Sequence, residues 1–122
     1  MNAEMIQSIV DILQEYPEIK YAYLFGSQVG ENAVPLSDID IAVYVVPKAK
    51  PDFLLEVYAK LSPVLKKNDI DLIDLADPTL SPLLKYNVVK EGLLLFEREP
   101  YRLQTIPAIL NIYFDTKLSL HL

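Results

Sequence analysis

The sequence predicts one α/β domain, a small β-sheet flanked by helices, and three observations predict it. Three short runs, 20–25, 37–46 and 69–75, are rich in aromatic and branched aliphatic residues. The stretches around them carry apolar residues at helical spacing. Proline or glycine punctuates most of the junctions. With 122 residues, 52% of them hydrophobic, the chain can build one core but not a second, substrate-presenting domain.

Each element follows in order. Residues 3–16 form an amphipathic helix with Asn2 as its N-cap, Met5, Ile6, Ile9, Leu13 and Tyr16 on one stripe, and Pro17 as its stop. Residues 20–25 form a buried strand that Gly26-Ser27 breaks, and a short helix or loop leads on to Pro35. The run 37–46 is the strongest strand signal, ended by Pro47. Residues 52–66 return to helical spacing, with Phe53, Leu54, Val57, Leu61 and Leu65 facing inward. A third strand covers 69–75. Ser81-Pro82 reads as an N-cap followed by proline at the first helical position, and Gly92 caps the end of that helix. Residues 93–97 add a short edge strand. The tail, 101–122, is a helix whose apolar face carries Leu103, Ile106, Ile109, Leu110, Tyr113 and Phe114, with Pro107 expected to kink it or delay its start.

Charge narrows the function classes. The net charge is −6, and the only basic pair, Lys66-Lys67, suits a helix end. A polynucleotide binder needs a basic face, so direct nucleic-acid binding is not expected, whereas a metal-bridged nucleoside triphosphate is compatible with acidity. There is no cysteine, which removes disulfides and thiolate metal sites. The N-terminal residues lack a basic leader, and no apolar run is long enough for a bilayer. These features predict a cytoplasmic protein without a membrane span.

The chemistry concentrates in Gly26-Ser27 and Ser37-Asp38-Ile39-Asp40. On a strand, Asp38 and Asp40 leave the same face, while Ile39, Ile41 and Val43 suit a core. Adjacent carboxylates repel and are stable together only in water or against a cation. Magnesium answers that arrangement, because it takes oxygen ligands and is often held by one or two carboxylates plus substrate phosphates. The 69–75 strand offers Asp71 as a third ligand, since Ile70 and Leu72 beside it point into the core. Asp69 shares that parity at the strand start, Asp74 has the opposite parity, and both read as solubility charges. Gly26 lets the backbone turn and approach a ligand closely. The Ser27 hydroxyl and following amides can hold phosphates. Ser37 shapes the turn before Asp38 and joins Gly26 and Ser27 on the nucleotide-binding side. Attack of an acceptor oxygen on the α-phosphorus, with pyrophosphate leaving, is the reaction such a site supports.

Gly26-Ser27, ten intervening residues and Asp38-Ile39-Asp40 together resemble the signature of the nucleotidyltransferase superfamily that includes DNA polymerase beta. The chain resembles its minimal nucleotidyltransferase (MNT) family over nearly its whole length. The run Asp71–Leu75, the stretch Lys90–Glu97 and Tyr113-Phe114-Asp115 also carry the likeness. The resemblance implies a nucleotidyltransferase fold with a mixed sheet and a C-terminal helix, residues 1–122 as one minimal domain, and catalytic and metal-binding roles for Asp38, Asp40 and Asp71. It implies Mg²⁺ as cofactor and ATP as donor. It also implies a partner, because many MNT proteins pair with an all-helical HEPN toxin that they silence, in some pairs by adenylylating a tyrosine. Family members often carry arginine after the Gly-Ser pair, where this chain has Gln28, a departure that weakens the expected grip on triphosphate. The alternative is a non-catalytic antitoxin that masks its partner by contact. Transfer to a small molecule such as an aminoglycoside is disfavoured by the absence of an acceptor-binding domain. Association between copies of the chain is left open.

Overall fold

A computed structural model describes residues 3–26, 38–65 and 69–119, with side chains as far as residue 111. The elements run α1 (Ala3–Gln14), β1 (Ile19–Phe25), β2 (Ile39–Val45), α2 (Phe53–Leu65), β3 (Ile70–Asp74), α3 (Pro82–Glu91), β4 (Leu93–Glu97) and α4 (Tyr101–Ser119). The expected N-cap Asn2, the pair Lys66-Lys67 and the segment from Ser27 to Ser37 lie outside the described residues.

The four strands form one mixed sheet in the order β3-β2-β1-β4. β1 is central and antiparallel to both β2 and β4, while β2 and β3 run parallel. Alternation along each strand divides the side chains between two cores. One face carries Ile19, Ala22, Leu24, Ile39, Ile41 and Val43 against Ile9 and Leu13 of α1 and Phe53, Val57, Leu61 and Leu65 of α2. The other face carries Tyr21, Tyr23 and Ala42 against Val88 of α3 and Ile109 of α4. Each fully buried leucine, isoleucine or phenylalanine contributes roughly 1.5–3 kcal/mol. The two helical layers therefore hold the sheet from both sides, and the strand ends are left to carry chemistry. Among the described residues, no helix is long and apolar enough to cross a membrane.

Two expectations change in detail, and the Gly92 cap holds with a conformation the sequence left open. Leu103 is 66% exposed, because the inward face of α4 runs through Arg102, Thr105, Ile106 and Ile109, and Leu103 falls about a quarter-turn away. Pro107 does not delay the start of α4, which is already helical at Tyr101 and runs through it to Ser119. Gly92 does cap α3, donating its N–H to the Val88 carbonyl at 2.8 Å, but with φ −69° and ψ 155° it is extended rather than left-handed. A side chain there would collide with the Val88 carbonyl oxygen and press on Tyr23 at 3.2 Å. Glycine is needed at this position for close approach to β1, not for its backbone angle.

Polar groups tie α4 and β4 to the rest. Thr105 donates to the Tyr101 carbonyl, so the buried Tyr21 hydroxyl donates to Thr105 at 2.8 Å. Arg102 pairs with Glu97 at 3.0 Å and donates to the Tyr23 hydroxyl at 3.4 Å. Arg98 reaches back to the last turn of α1, donating to the carbonyls of Gln14 (2.8 Å), Tyr16 (3.4 Å) and Ile19 (3.2 Å). α1 has no basic residue in its own last turn, so this distant guanidinium supplies the positive charge its carbonyl end favours.

Candidate active site

Three strand ends meet at one edge of the sheet. β1 finishes at Phe25, whose partner in register is Asp40 on β2. The partner of Asp40 on its other side is Asp71 on β3. Asp40 and Asp71 therefore stand side by side on adjacent parallel strands. Their parity is that of Ala42 and Ile73, which pack in the α3/α4 core, so both carboxylates leave that face. Asp38 lies one residue before β2, exposed, where Ile39 donates its N–H to the Asp69 carbonyl at 2.8 Å.

Gly26 follows β1 directly and has φ +78°, a left-handed conformation that side chains rarely adopt. A Cβ built there would collide with the Asp40 carboxylate oxygen and lie 3.1 Å from its Cγ. The glycine thus does two things: it turns the chain sharply out of β1, and it leaves the space that the Asp40 carboxylate occupies.

Electrostatics at this corner are unfavourable for the protein alone. The Asp40 carboxyl is pushed above its ordinary value, first by loss of water around it, then by the negative charges of Asp71 and Asp38. The two ion pairs found among the described residues, Lys60–Glu15 and Arg102–Glu97, involve none of these three acids. Among the described residues no three acidic, histidine or cysteine side chains are drawn together tightly enough to ligate one ion. The donor set is all oxygen, which fits a hard dication such as magnesium by its chemistry.

Gly26, Asp38, Asp40 and Asp71 are thus gathered at one corner, whereas Ser27 and Ser37 lie outside the described residues. Asp74 has a structural task rather than the solubility role expected of it. Its Oδ1 accepts the Val45 N–H at 3.2 Å and the Ala76 N–H at 2.9 Å, joining the ends of β2 and β3.

Two residues beside the corner escaped the reading of the sequence. A cavity of about 480 Å³ opens at Gly26 and is lined, among the described residues, by Phe25, Asn87, Val88 and Glu91. Asn87 and Glu91 are four apart on α3 and so share one helix face. The available signal was Glu91 itself, an acid in the last turn of a helix, where the dipole disfavours it.

Comparison with known proteins bears on this corner. The sequence matches the family described as "Polymerase beta, Nucleotidyltransferase" over residues 7–101. No curated protein matches the chain. Among solved structures, a chain of the toxin–antitoxin complex MntA-HepT is 25% identical with a TM-score of 0.74, covering 97% of this chain and 92% of that one. A structure described as a tri-AMPylated Shewanella oneidensis HEPN toxin in complex with MNT antitoxin gives 26% identity, a TM-score of 0.74, and coverage of 98% and 92%. A toxin–antitoxin structure with AMP-PNP gives 28% identity and a TM-score of 0.72, covering 93% of this chain and 90% of that one.

Proposed function

This chain belongs to the polymerase beta nucleotidyltransferase family, and from that premise we propose that it is an antitoxin that transfers AMP from ATP to a protein hydroxyl, a tyrosine of a partner HEPN toxin. One observation carries the reading: Asp40 and Asp71 stand in register on adjacent strands, beside a left-handed glycine that leaves room for a carboxylate and a ligand. The similar complexes support the partner and the modification, since one holds a HEPN toxin carrying AMP with an MNT antitoxin. A further one supports the donor, since it contains AMP-PNP. ATP as donor agrees with a cytoplasmic setting.

In this reading Asp38, Asp40 and Asp71 hold magnesium, and Gly26, Ser27 and Ser37 face the triphosphate. Bound magnesium supplies positive charge to the phosphate oxygens and favours the ionised acceptor. Asp40, which stands between β1 and β3, would act on the phosphate only through the magnesium it helps to hold. Asp71 lies on the far side from Gly26, where the acceptor hydroxyl approaches. The acceptor oxygen forms a bond to the α-phosphorus as the bond to the β-phosphate oxygen breaks. Pyrophosphate leaves with that electron pair, and the phenol proton passes to solvent. The rest of the rate comes from positioning and charge stabilisation.

The test incubates the protein with its HEPN partner, ATP and magnesium, and reads intact masses. The Asp38→Ala/Asp40→Ala double variant is the control. Partner mass rising by whole adenylyl units with wild type only is the expected result. Neutralisation of the toxin by a folded double variant, with no mass change in either case, would establish a masking module instead.

A further inference from the structure

The cavity beside the acidic corner has its own chemistry. It begins at Gly26, against which the Asp40 carboxylate lies, and its far wall is one face of α3. Its volume of about 480 Å³ falls in the range of small-molecule sites. The wall offers an aromatic ring (Phe25), an apolar contact (Val88), a side-chain amide (Asn87) and a carboxylate (Glu91). That is a set for a flat heterocycle joined to a diol. A ring takes a base face, an amide takes a paired donor and acceptor on a base edge, and a carboxylate takes vicinal hydroxyls.

We propose that this cleft seats the nucleoside half of the donor, with Glu91 accepting hydrogen bonds from the ribose hydroxyls and Asn87 reading the base edge. The inference rests on the nucleotidyltransferase reading above and adds to it the residues that choose the nucleotide. Position supports it. If the α-phosphate lies between Gly26 and the carboxylates, the ribose attached to it must leave on one side, and α3 closes that side within one cavity length. The placement of Glu91 supports it as well. It stands in the last turn of α3, where an acid opposes the helix dipole, and it lines the same cavity as Gly26. Gly92 directly after it holds the end of α3 against Leu24 and Tyr23 of β1, which fixes the carboxylate relative to the strand end.

The experiment measures binding without an acceptor. Isothermal titration with magnesium compares ATP, 2′-deoxy-ATP and GTP on wild type, Glu91→Ala and Asn87→Ala, with melting temperatures as a fold control. Wild type is expected to prefer ATP over 2′-deoxy-ATP. Glu91→Ala is expected to weaken ATP about 10- to 100-fold, the loss of charge-assisted hydrogen bonds, while 2′-deoxy-ATP weakens less and the two converge. Asn87→Ala is expected to narrow the gap between ATP and GTP and leave the deoxy discrimination intact. Should Glu91→Ala unfold, Glu91→Gln is measured in its place, with the same convergence expected. Equal weakening of ATP and 2′-deoxy-ATP, or none, overturns the proposal while leaving the nucleotidyltransferase reading standing. A parallel transfer assay with the toxin separates the remaining case: unchanged ATP affinity with slowed transfer assigns the cleft to the acceptor and also overturns the proposal. A wild type that binds no nucleotide at all overturns both.

Discussion

Asp40 and Asp74 lie on neighbouring strands of the same sheet, near opposite ends, and they are held under different conditions. Both lose water on folding, which pushes both carboxyls above their ordinary value. At Asp74 that push is opposed by the N–H groups of Ala76 and Val45 and by the nearby positive charge of buried Lys85. At Asp40 nothing opposes it, since the next causes are the charges of Asp71 and Asp38, both of which raise it further. Asp74 thus has backbone donors and one positive neighbour that offset part of its burial and of the nearby Asp77 charge, whereas Asp40 has only further negative charge, which suits a site that takes a cation. The β3–β2 pair makes the contrast internal: Asp71 and Asp74, three residues apart, emerge on opposite faces and do opposite things.

The contrast can be broken most sharply by Asp40→Asn. Transfer should fall by at least about 10³-fold, read as adenylylated partner per minute, while the fold remains. Activity near wild type would mean that the unmatched charges have no catalytic task. Gly26→Ala comes next. Its side chain forces a left-handed strain and displaces the Asp40 carboxylate, so transfer should drop about 10²-fold, and stability should fall by roughly 1–2 kcal/mol in urea unfolding. Unchanged kinetics would show that the Asp40 position is not critical. Asp74→Ala tests the opposite end. Removing the acceptor of two backbone N–H groups should cost about 1–3 kcal/mol of stability and leave transfer intact below the melting temperature.

The smallest effect is a pH dependence. Because the folded state raises the Asp40 pKa above 3.8, folding takes up a proton there, and stability falls as pH rises from that value through the higher folded one. Without magnesium, Asp40→Asn should therefore melt about 1–3 °C above wild type near pH 7, with the gap closing at acidic pH. Magnesium should narrow it from the other direction by stabilising wild type alone. A variant that melts lower at neutral pH would contradict the account of repulsion.

Much of this was legible in the sequence, for identifiable reasons. Strand parity is a local property, so Asp40 and Asp71 could be aligned from spacing alone, while Asp38, read as part of the same strand, lies just before it; Ser81-Pro82 announced α3 through cap chemistry that depends on four residues. What depended on tertiary packing was not legible. Leu103 looked apolar-faced until Arg102 and Thr105 claimed the inward positions through Tyr23 and Tyr21. Gly92 caps α3 as its position suggested, but the sequence cannot show that the Val88 carbonyl and β1 both crowd it. Asp74 looked like a surface charge because its partners, Val45 and Ala76, come from two different strand ends. Glu91 falls in the Lys90–Glu97 stretch that carries the likeness, but neither it nor Asn87 was given a role, because a cavity is a relation between elements.

The hold of Arg98 on the end of α1 has a consequence for how the protein is made. Its three acceptors precede it by 79 to 84 residues, so the first helix emerges from the ribosome long before the group that fastens its end. The same holds for β1, whose second edge is covered only by β4. Until residue 98 is synthesised, the nascent chain displays an uncovered aromatic strand, the condition in which strands pair with the wrong neighbour. Completion of the fold is thus tied to the arrival of one late segment, Leu93 to Arg98, which covers that edge and clamps the first helix together.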